Sequence, residues 1–156
     1  MRVLSENLTN KNQTGRRMYS LVRRFNRDID SFSLKGSSLG DLSLDDYFDF
    51  VRLIPYKKDE RPVELIARPK YILQNKDSGA DCKKKAILLG SYFQYQGLRP
   101  MKDWRFVAVS NKPSGNIHHV FPQLRKGKNW LNADATYRNY RLFAPKRVTA
   151  WEVLKP

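Results

Sequence analysis

Cysteine and histidine are both scarce in this sequence, and their scarcity limits the chemistry that the chain can support. Cys82 is the single cysteine among 156 residues, which excludes an internal disulfide and a zinc site with several cysteine ligands. The two histidines, His118 and His119, are adjacent, whereas histidines that bind one metal are usually spaced to share a face. We therefore predict no metal and no other cofactor.

Long apolar segments are missing as well. No run approaches the roughly 20 apolar residues that cross a membrane, and residues 1–7 lack the apolar segment of a signal peptide. These features predict a chain with no membrane partner, located in the cytoplasm or carried within a larger particle.

Acidic residues are half as numerous as basic ones. The chain has 15 Asp and Glu against 30 Lys and Arg, which gives a net charge of +15. Such a surface attracts polyanions such as nucleic acid or acidic protein, although no zinc-finger, RNP or KH motif accompanies the charge. The same composition is also typical of a basic surface that binds no specific ligand.

The chain is long enough for one domain with an extension, and 40% of its residues are apolar. Residues 35–40 have the composition of a linker, so we predict a basic N-terminal extension over residues 1–40 and a main domain over residues 41–156. From Met18 to Ile29, apolar residues recur at helical spacing, which predicts an amphipathic helix. Three roles are open to this helix, namely packing on the domain, binding a partner or contacting nucleic acid. We favour packing on the domain. The residues that would contact nucleic acid are Arg16, Arg17, Arg23, Arg24 and Arg27.

Periodicity changes from helical to alternating along the main domain, and this change predicts its fold class. We predict helices over residues 44–54, 70–74 and 82–96, followed by strands over residues 104–110, 117–121 and 129–134. A Ser43-x-x-Asp46 cap opens the first helix, and Pro122 indicates that the second strand lies at an edge or contains a bulge. Helices followed by an antiparallel meander indicate an α+β domain with the helix from Cys82 at its centre.

Cys82 stands at the head of the third predicted helix, where a thiol can be activated. Unpaired backbone N–H groups and the helix dipole favour negative charge there, which predicts a lowered thiol pKa, and the Cys82 N–H could also donate to an oxyanion. His119 lies in the second strand and Asp134 at the end of the third, so a hairpin brings them together as the rest of a Cys-His-Asp triad. The alternative is a buried apolar cysteine, a structural histidine and an aspartate that forms a turn.

Four segments resemble the transglutaminase-like superfamily of papain-like cysteine enzymes. Residues 81–89, DCKKKAILL, resemble its nucleophile motif, and residues 97–109 are similar to the segment that follows it. Residues 118–121 are similar to the histidine strand, S-H-V-Y, and residues 130–136 to the aspartate strand, W-x-x-L-D-A-T. The likeness extends over about residues 43–136 and is closest to small members encoded by phages and prophages.

The resemblance implies a papain-like core, in which a central helix bearing the cysteine packs on an antiparallel sheet bearing the histidine and the aspartate. It implies Cys82 as nucleophile, His119 as general base and acid, and Asp134 as the residue that orients His119. His119 is preferred over His118 because the family pattern continues after it with two apolar residues. In addition, adjacent strand residues face opposite sides, so we expect only one histidine to meet the thiol.

The implied function is that of a cysteine-dependent acyl-transfer enzyme, a peptidase or amidase rather than a cross-linking enzyme, with a protein or peptide substrate. A phage or prophage would encode it, and it would act in the host cytoplasm or in the virion. The second hypothesis is a virion or assembly protein that keeps the fold with little catalysis. Its basic surface would bind nucleic acid or virion proteins.

Departures from the family pattern bear on the site. Lys83 and Lys84 replace acidic residues after the cysteine, and they either favour the thiolate or belong to a basic surface. Gln123 replaces a frequent glutamate in the histidine strand. The resemblance fixes no side-chain oxyanion donor, and we predict Gln74 for this role because an amide from the preceding segment could reach the site.

Overall fold

Four α-helices precede a four-stranded antiparallel sheet in residues 11–58 and 66–156, the part of the chain that the computed structural model describes. The helices are α1 (Lys11–Phe25), α2 (Leu44–Leu53), α3 (Pro69–Gln74) and α4 (Cys82–Tyr95). The strands are β1 (Ser33–Leu34), β2 (Ser37–Ser38), β3 (Trp104–Ser110), β4 (His119–Lys126), β5 (Asn129–Asn132) and β6 (Ala150–Val153). This order confirms the predicted α+β class.

Helix α1 belongs to the core of the domain. Met18 and Val22 on its inner face are fully buried in the same hydrophobic cluster as the apolar residues of α4. The Tyr19 hydroxyl accepts a hydrogen bond from the Phe106 N–H at 2.7 Å and donates one to the Leu154 carbonyl at 2.8 Å, which joins the helix to the sheet. The predicted packing of this amphipathic helix on the domain is confirmed.

The segment predicted as a linker is a tight hairpin instead. Lys35 and Gly36 form the turn between β1 and β2, with φ of +51° and +85°, the left-handed values that such a turn requires. Leu39, just after the hairpin, is fully buried. Gly36 therefore allows a tight turn and does not mark a linker. Residues 11–40 of the predicted extension share one hydrophobic core with the main domain. Residues 1–10 of that extension lie outside the described residues.

The first two predicted helices of the main domain are present. The Ser43 hydroxyl accepts a hydrogen bond from the Asp46 N–H at 3.2 Å, which confirms the predicted cap of α2. Helix α3 covers the predicted helical turn, and Pro69 occupies its first position, where the missing N–H has no helical partner to lose.

Helix α4 lies at the centre of the domain, as its apolar residues predict. Asp81 caps its first turn, where the carboxylate accepts the Lys84 N–H at 2.9 Å. Leu88 is fully buried in the core cluster, and a Cβ at Gly90 would lie 2.8 Å from the Phe106 ring. Glycine at this position therefore lets α4 lie directly on β3.

The large sheet has the strand order β5-β4-β3-β6. Strand β4 begins at His119, opposite Val109, two residues later than predicted, and continues past its predicted end to Lys126. Strand β5 ends at Asn132, two residues before its predicted end, and β6 is absent from the prediction. The prediction that Pro122 marks an edge or a bulge is wrong, because β4 is an inner strand and its pairing with β3 is continuous. Pro122 is tolerated because it lies just past the β5 pairing, where its carbonyl accepts the Ala133 N–H at 2.9 Å.

Candidate active site

Cys82 is the first residue of α4, as predicted, and it is partly exposed. The surrounding protein nevertheless desolvates its sulfur, and this burial raises the pKa of the thiol to about 12, with a further contribution from the charge of Asp81. Hydrogen bonds from the N–H groups of Val120 and Lys83 offset only part of the effect. The predicted lowering by the helix and the lysines is therefore wrong, because desolvation outweighs both. The thiol is protonated at neutral pH.

The three lysines that follow the cysteine lie in different surroundings. Lys83 and Lys85 are buried, whereas Lys84 is half-buried, so the interpretation of a basic surface is wrong for Lys83. The Lys85 ammonium donates to the Ile54 carbonyl at 2.6 Å and to the Thr136 carbonyl at 2.9 Å. Lys85 thereby connects the cysteine helix to the end of α2 and to the segment after β5.

The structure brings His119 and Asp134 together. His119 Nε2 lies 2.6 Å from Asp134 Oδ2. The pair forms because His119 begins β4 and Asp134 follows the antiparallel partner strand β5. With Nε2 held by the carboxylate, Nδ1 is the ring nitrogen that remains to accept a proton from a thiol.

Asp134 is almost fully buried, and four donors hold its carboxylate. Oδ1 accepts hydrogen bonds from the Thr136 N–H at 3.0 Å and from the Thr136 hydroxyl at 2.6 Å, while Oδ2 is shared by His119 and Lys146. Burial alone would raise the pKa of this carboxyl, but the hydrogen bonds and charges of His119 and Lys146 lower it to about 2. The carboxylate is therefore ionised at neutral pH and held in one orientation.

Lys146 is a site residue that sequence reasoning missed. Its Nζ lies 2.7 Å from the Asp134 oxygen that also binds His119, and 4.0 Å from the centre of the Tyr140 ring. The segment around Lys146 has neither helix nor strand in the structure. No periodic pattern marks it, so the only signal in the sequence is the general excess of basic residues.

The thiol and both histidines line one cavity of about 600 Å³, together with Tyr56, Tyr137 and Tyr140. A cavity of about 640 Å³ between the β1–β2 hairpin and α2 is slightly larger, but its lining contains no cysteine or histidine. The cysteine and both histidines therefore line the smaller of these two cavities.

His118 lies in the same cavity as His119, so the expectation that the two histidines face opposite sides is wrong. Strand β4 begins at His119, and the alternation of a strand does not extend to the residue before it. His118 Nε2 lies 2.8 Å from Asn111 Oδ1, and partial burial and the charge of Lys112 lower the pKa of its ring. The bond to Asp134 still distinguishes His119 from His118.

Gln74 does not reach the site. It is exposed at the end of α3 and is not among the residues that line the cavity, because a 3₁₀ turn separates it from the cysteine helix. Tyr56 does line the cavity, since its pairing with Ala80 brings it beside the start of α4. Burial raises the pKa of the Tyr56 phenol, and the hydrogen bond and charge of the neighbouring Tyr137 raise it further, so the phenol is neutral where it lies near the thiol.

The arginines predicted as a nucleic-acid contact lie on α1 and on the 3₁₀ turn that follows it. Arg16, Arg23, Arg24 and Arg27 are exposed, whereas Arg17 is partly buried. None of the five is among the residues that line the cavity, so a contact there would be separate from the thiol.

Comparison of the chain with protein-family models, with curated proteins and with solved structures finds no match. Within the two described ranges, no three His, Cys, Asp or Glu side chains are grouped as the ligands of a metal ion would be. The helices of those ranges are all too short or too polar to cross a bilayer.

Protonation of Asp134 at low pH should lower the free energy of unfolding. Its pKa of about 2 lies below the usual 3.8, so the unfolded chain takes up this proton first, and the stabilisation is complete above about pH 4 and lost as the pH falls to about 2. We expect urea unfolding, followed by tryptophan fluorescence, to show the stability gap between wild type and Asp134→Asn shrinking by about 2 kcal/mol over this range. The gap for Asp77→Asn, which changes an exposed carboxylate, should stay constant. A constant gap for both variants would contradict this assignment.

Proposed function

We propose that this chain is a cysteine-dependent acyl-transfer enzyme, a peptidase or amidase with a papain-like core, encoded by a phage or prophage. The observation that carries the proposal is the bond between His119 Nε2 and Asp134 Oδ2, 2.6 Å long, in the cavity that Cys82 also lines. A cysteine at the start of a central helix, with histidine and aspartate on an antiparallel sheet, is the arrangement that the transglutaminase-like resemblance implies. The phage origin rests on that resemblance alone.

In the proposed mechanism, His119 activates the thiol as substrate binds. Because the pKa of Cys82 is about 12, the resting site holds a neutral thiol instead of a thiolate–imidazolium pair. The His119 ring takes the thiol proton while the sulfur attacks the carbonyl carbon, and Asp134 orients the ring and stabilises the imidazolium. Proton transfer and bond formation are therefore coupled.

The attack places negative charge on the carbonyl oxygen. The Cys82 N–H at the start of the helix and the Tyr56 hydroxyl are the donors that would stabilise this oxyanion. Collapse of the intermediate breaks the C–N bond, the leaving amine takes the proton from His119, and the acyl group remains on sulfur as a thioester. Water then gives a proton to His119 and attacks the thioester, which releases the acid and restores the thiol.

Turnover should depend on the sulfur. We expect the wild-type protein to cleave members of a mixed peptide library, with new carboxyl termini detected by mass spectrometry, and the Cys82→Ala variant to produce none. The His118→Ala variant should retain the activity, because His118 bonds to Asn111 and not to the triad. Equal product from wild type and Cys82→Ala would refute the proposal.

A virion or assembly protein with little catalysis is the second candidate function. The raised pKa of Cys82 favours it, since a protonated thiol is a weak nucleophile. The net charge of +15 and the exposed arginines of α1 also favour a surface for nucleic acid or virion proteins. If Cys82 reacts with iodoacetamide equally slowly in wild type and in His119→Ala, the result would support this candidate over the enzyme.

A further inference from the structure

Positive side chains surround the cavity that contains the thiol. Lys58, Lys112, Lys146 and Arg147 line it, and in the described part of the chain no aspartate or glutamate is among the lining residues. Lys146 is bound to the buried carboxylate that orients the histidine, whereas Lys112 and Arg147 are exposed. Among the residues that the structure describes, the rim of the cavity is therefore cationic.

Charges of one sign around a concave site act together on an anion. A cavity with walls of low dielectric constant focuses their field, and such focusing raises on-rates for anions by about 10- to 1,000-fold. Tyr56, Tyr137 and Tyr140 also line the cavity, and phenol hydroxyls can donate to carboxylates without adding charge. Cations and hydrogen-bond donors thus surround a sulfur nucleophile.

We propose that the cavity binds acyl substrates whose scissile carbonyl is flanked by carboxylates, in the form of an acidic peptide segment. The inference rests on the proposed function and specifies its substrate class. An acidic peptide offers both the negative charge that the rim attracts and an amide carbonyl that the thiol attacks. A nucleic acid offers only the charge, so the position of the sulfur among the cations favours the peptide.

Two alkylating reagents of different charge test the rim without a known substrate. Iodoacetate is an anion and iodoacetamide is neutral, and Cys82 is the only thiol that either can label. We expect the ratio of the iodoacetate rate to the iodoacetamide rate to be at least about tenfold higher in the folded protein than in the same protein unfolded in urea. About 1 M NaCl should remove most of this preference by screening. A ratio equal in the folded and unfolded chains would overturn the proposal.

Charge-reversed variants locate the effect. Lys112→Glu with Arg147→Glu should lower the ratio towards that of the unfolded chain, and the milder Lys112→Gln with Arg147→Gln should lower it part of the way. Lys102→Glu with Lys128→Glu makes the same change in net charge at exposed positions that do not line the cavity, and it should leave the ratio high. Equal losses in the two Glu pairs would mean that net charge alone causes the preference, which would overturn the proposal.

Protection of Cys82 from iodoacetamide identifies the kind of anion. A blocked peptide that alternates Glu and Ala should slow the labelling, and its counterpart with Lys in place of Glu should not. Slowing by a single-stranded oligonucleotide of equal charge, without slowing by the acidic peptide, would overturn the proposal. The proposed function would be refuted if the rate of labelling by iodoacetamide did not depend on His119. If that rate does depend on His119 but iodoacetate shows no preference, only the proposed substrate class is refuted.

Discussion

Replacing His119 with alanine should slow the reaction of Cys82 with iodoacetamide by about 100-fold or more at neutral pH. The pKa of the thiol is about 12, so almost no thiolate exists unless a neighbouring base takes the proton. In the proposed mechanism that base is His119, whose ring Asp134 holds through Nε2 at 2.6 Å. Loss of the imidazole removes the proton acceptor and leaves the sulfur in a desolvated site. The rate is measured by intact-protein mass, because each chain carries a single thiol.

The adjacent histidine provides a matched control for this experiment. His118 lines the same cavity but bonds to Asn111, so His118→Ala should react within about twofold of wild type. His119→Gln should be as slow as His119→Ala, because an amide can donate to Asp134 but cannot accept the thiol proton. Equal rates in wild type, His118→Ala and His119→Ala would show that neither imidazole activates the thiol.

Replacing Lys85 with methionine should destabilise the protein by about 3 kcal/mol or more and reduce turnover as well. The buried Lys85 ammonium donates to the carbonyls of Ile54, Ala135 and Thr136 at 2.6, 3.2 and 2.9 Å. Methionine has a similar length but no donor, so these carbonyls would remain buried without this partner, at about 1–3 kcal/mol each. Turnover falls because Thr136 also holds the carboxylate of Asp134.

The neighbouring Lys84 is the control for this substitution. Its side chain is half-buried in the same helix turn, so Lys84→Met should change the free energy of unfolding by less than about 1 kcal/mol. Urea unfolding followed by tryptophan fluorescence measures both variants. Similar losses at the two positions would mean that the carbonyl cluster does not depend on the ammonium of Lys85.

The parts of the site that depend on local signals were predictable from the sequence. The cap at Asp81 and the apolar spacing after it place Cys82 at the start of a helix. Alternating residues and a short turn place His119 at the start of one strand and Asp134 just after the end of its neighbour. Each of these signals lies within a few residues of the feature that it predicts, so no knowledge of distant contacts was needed.

The remaining parts depend on contacts between distant segments. Strand β6 has four residues and pairs with β3, about forty residues earlier, and Lys146 reaches Asp134 from a segment without regular structure. Lysine is most often a surface residue, so the burial of Lys85 among carbonyls contradicts the usual rule. The thiol pKa was predicted in the wrong direction because desolvation of Cys82 depends on packing of the helix against β4, which composition does not show.

The formation of an acyl-enzyme on Cys82 is the most direct test of the proposed mechanism. The protein is mixed with p-nitrophenyl acetate, the burst of nitrophenol is recorded, and the acetylated residue is located by mass spectrometry. We expect one acetyl group per chain on Cys82, no burst in Cys82→Ala, and a burst slowed by about 100-fold or more in His119→Ala. Acetylation confined to lysines, at the same rate in all three proteins, would contradict the proposed mechanism.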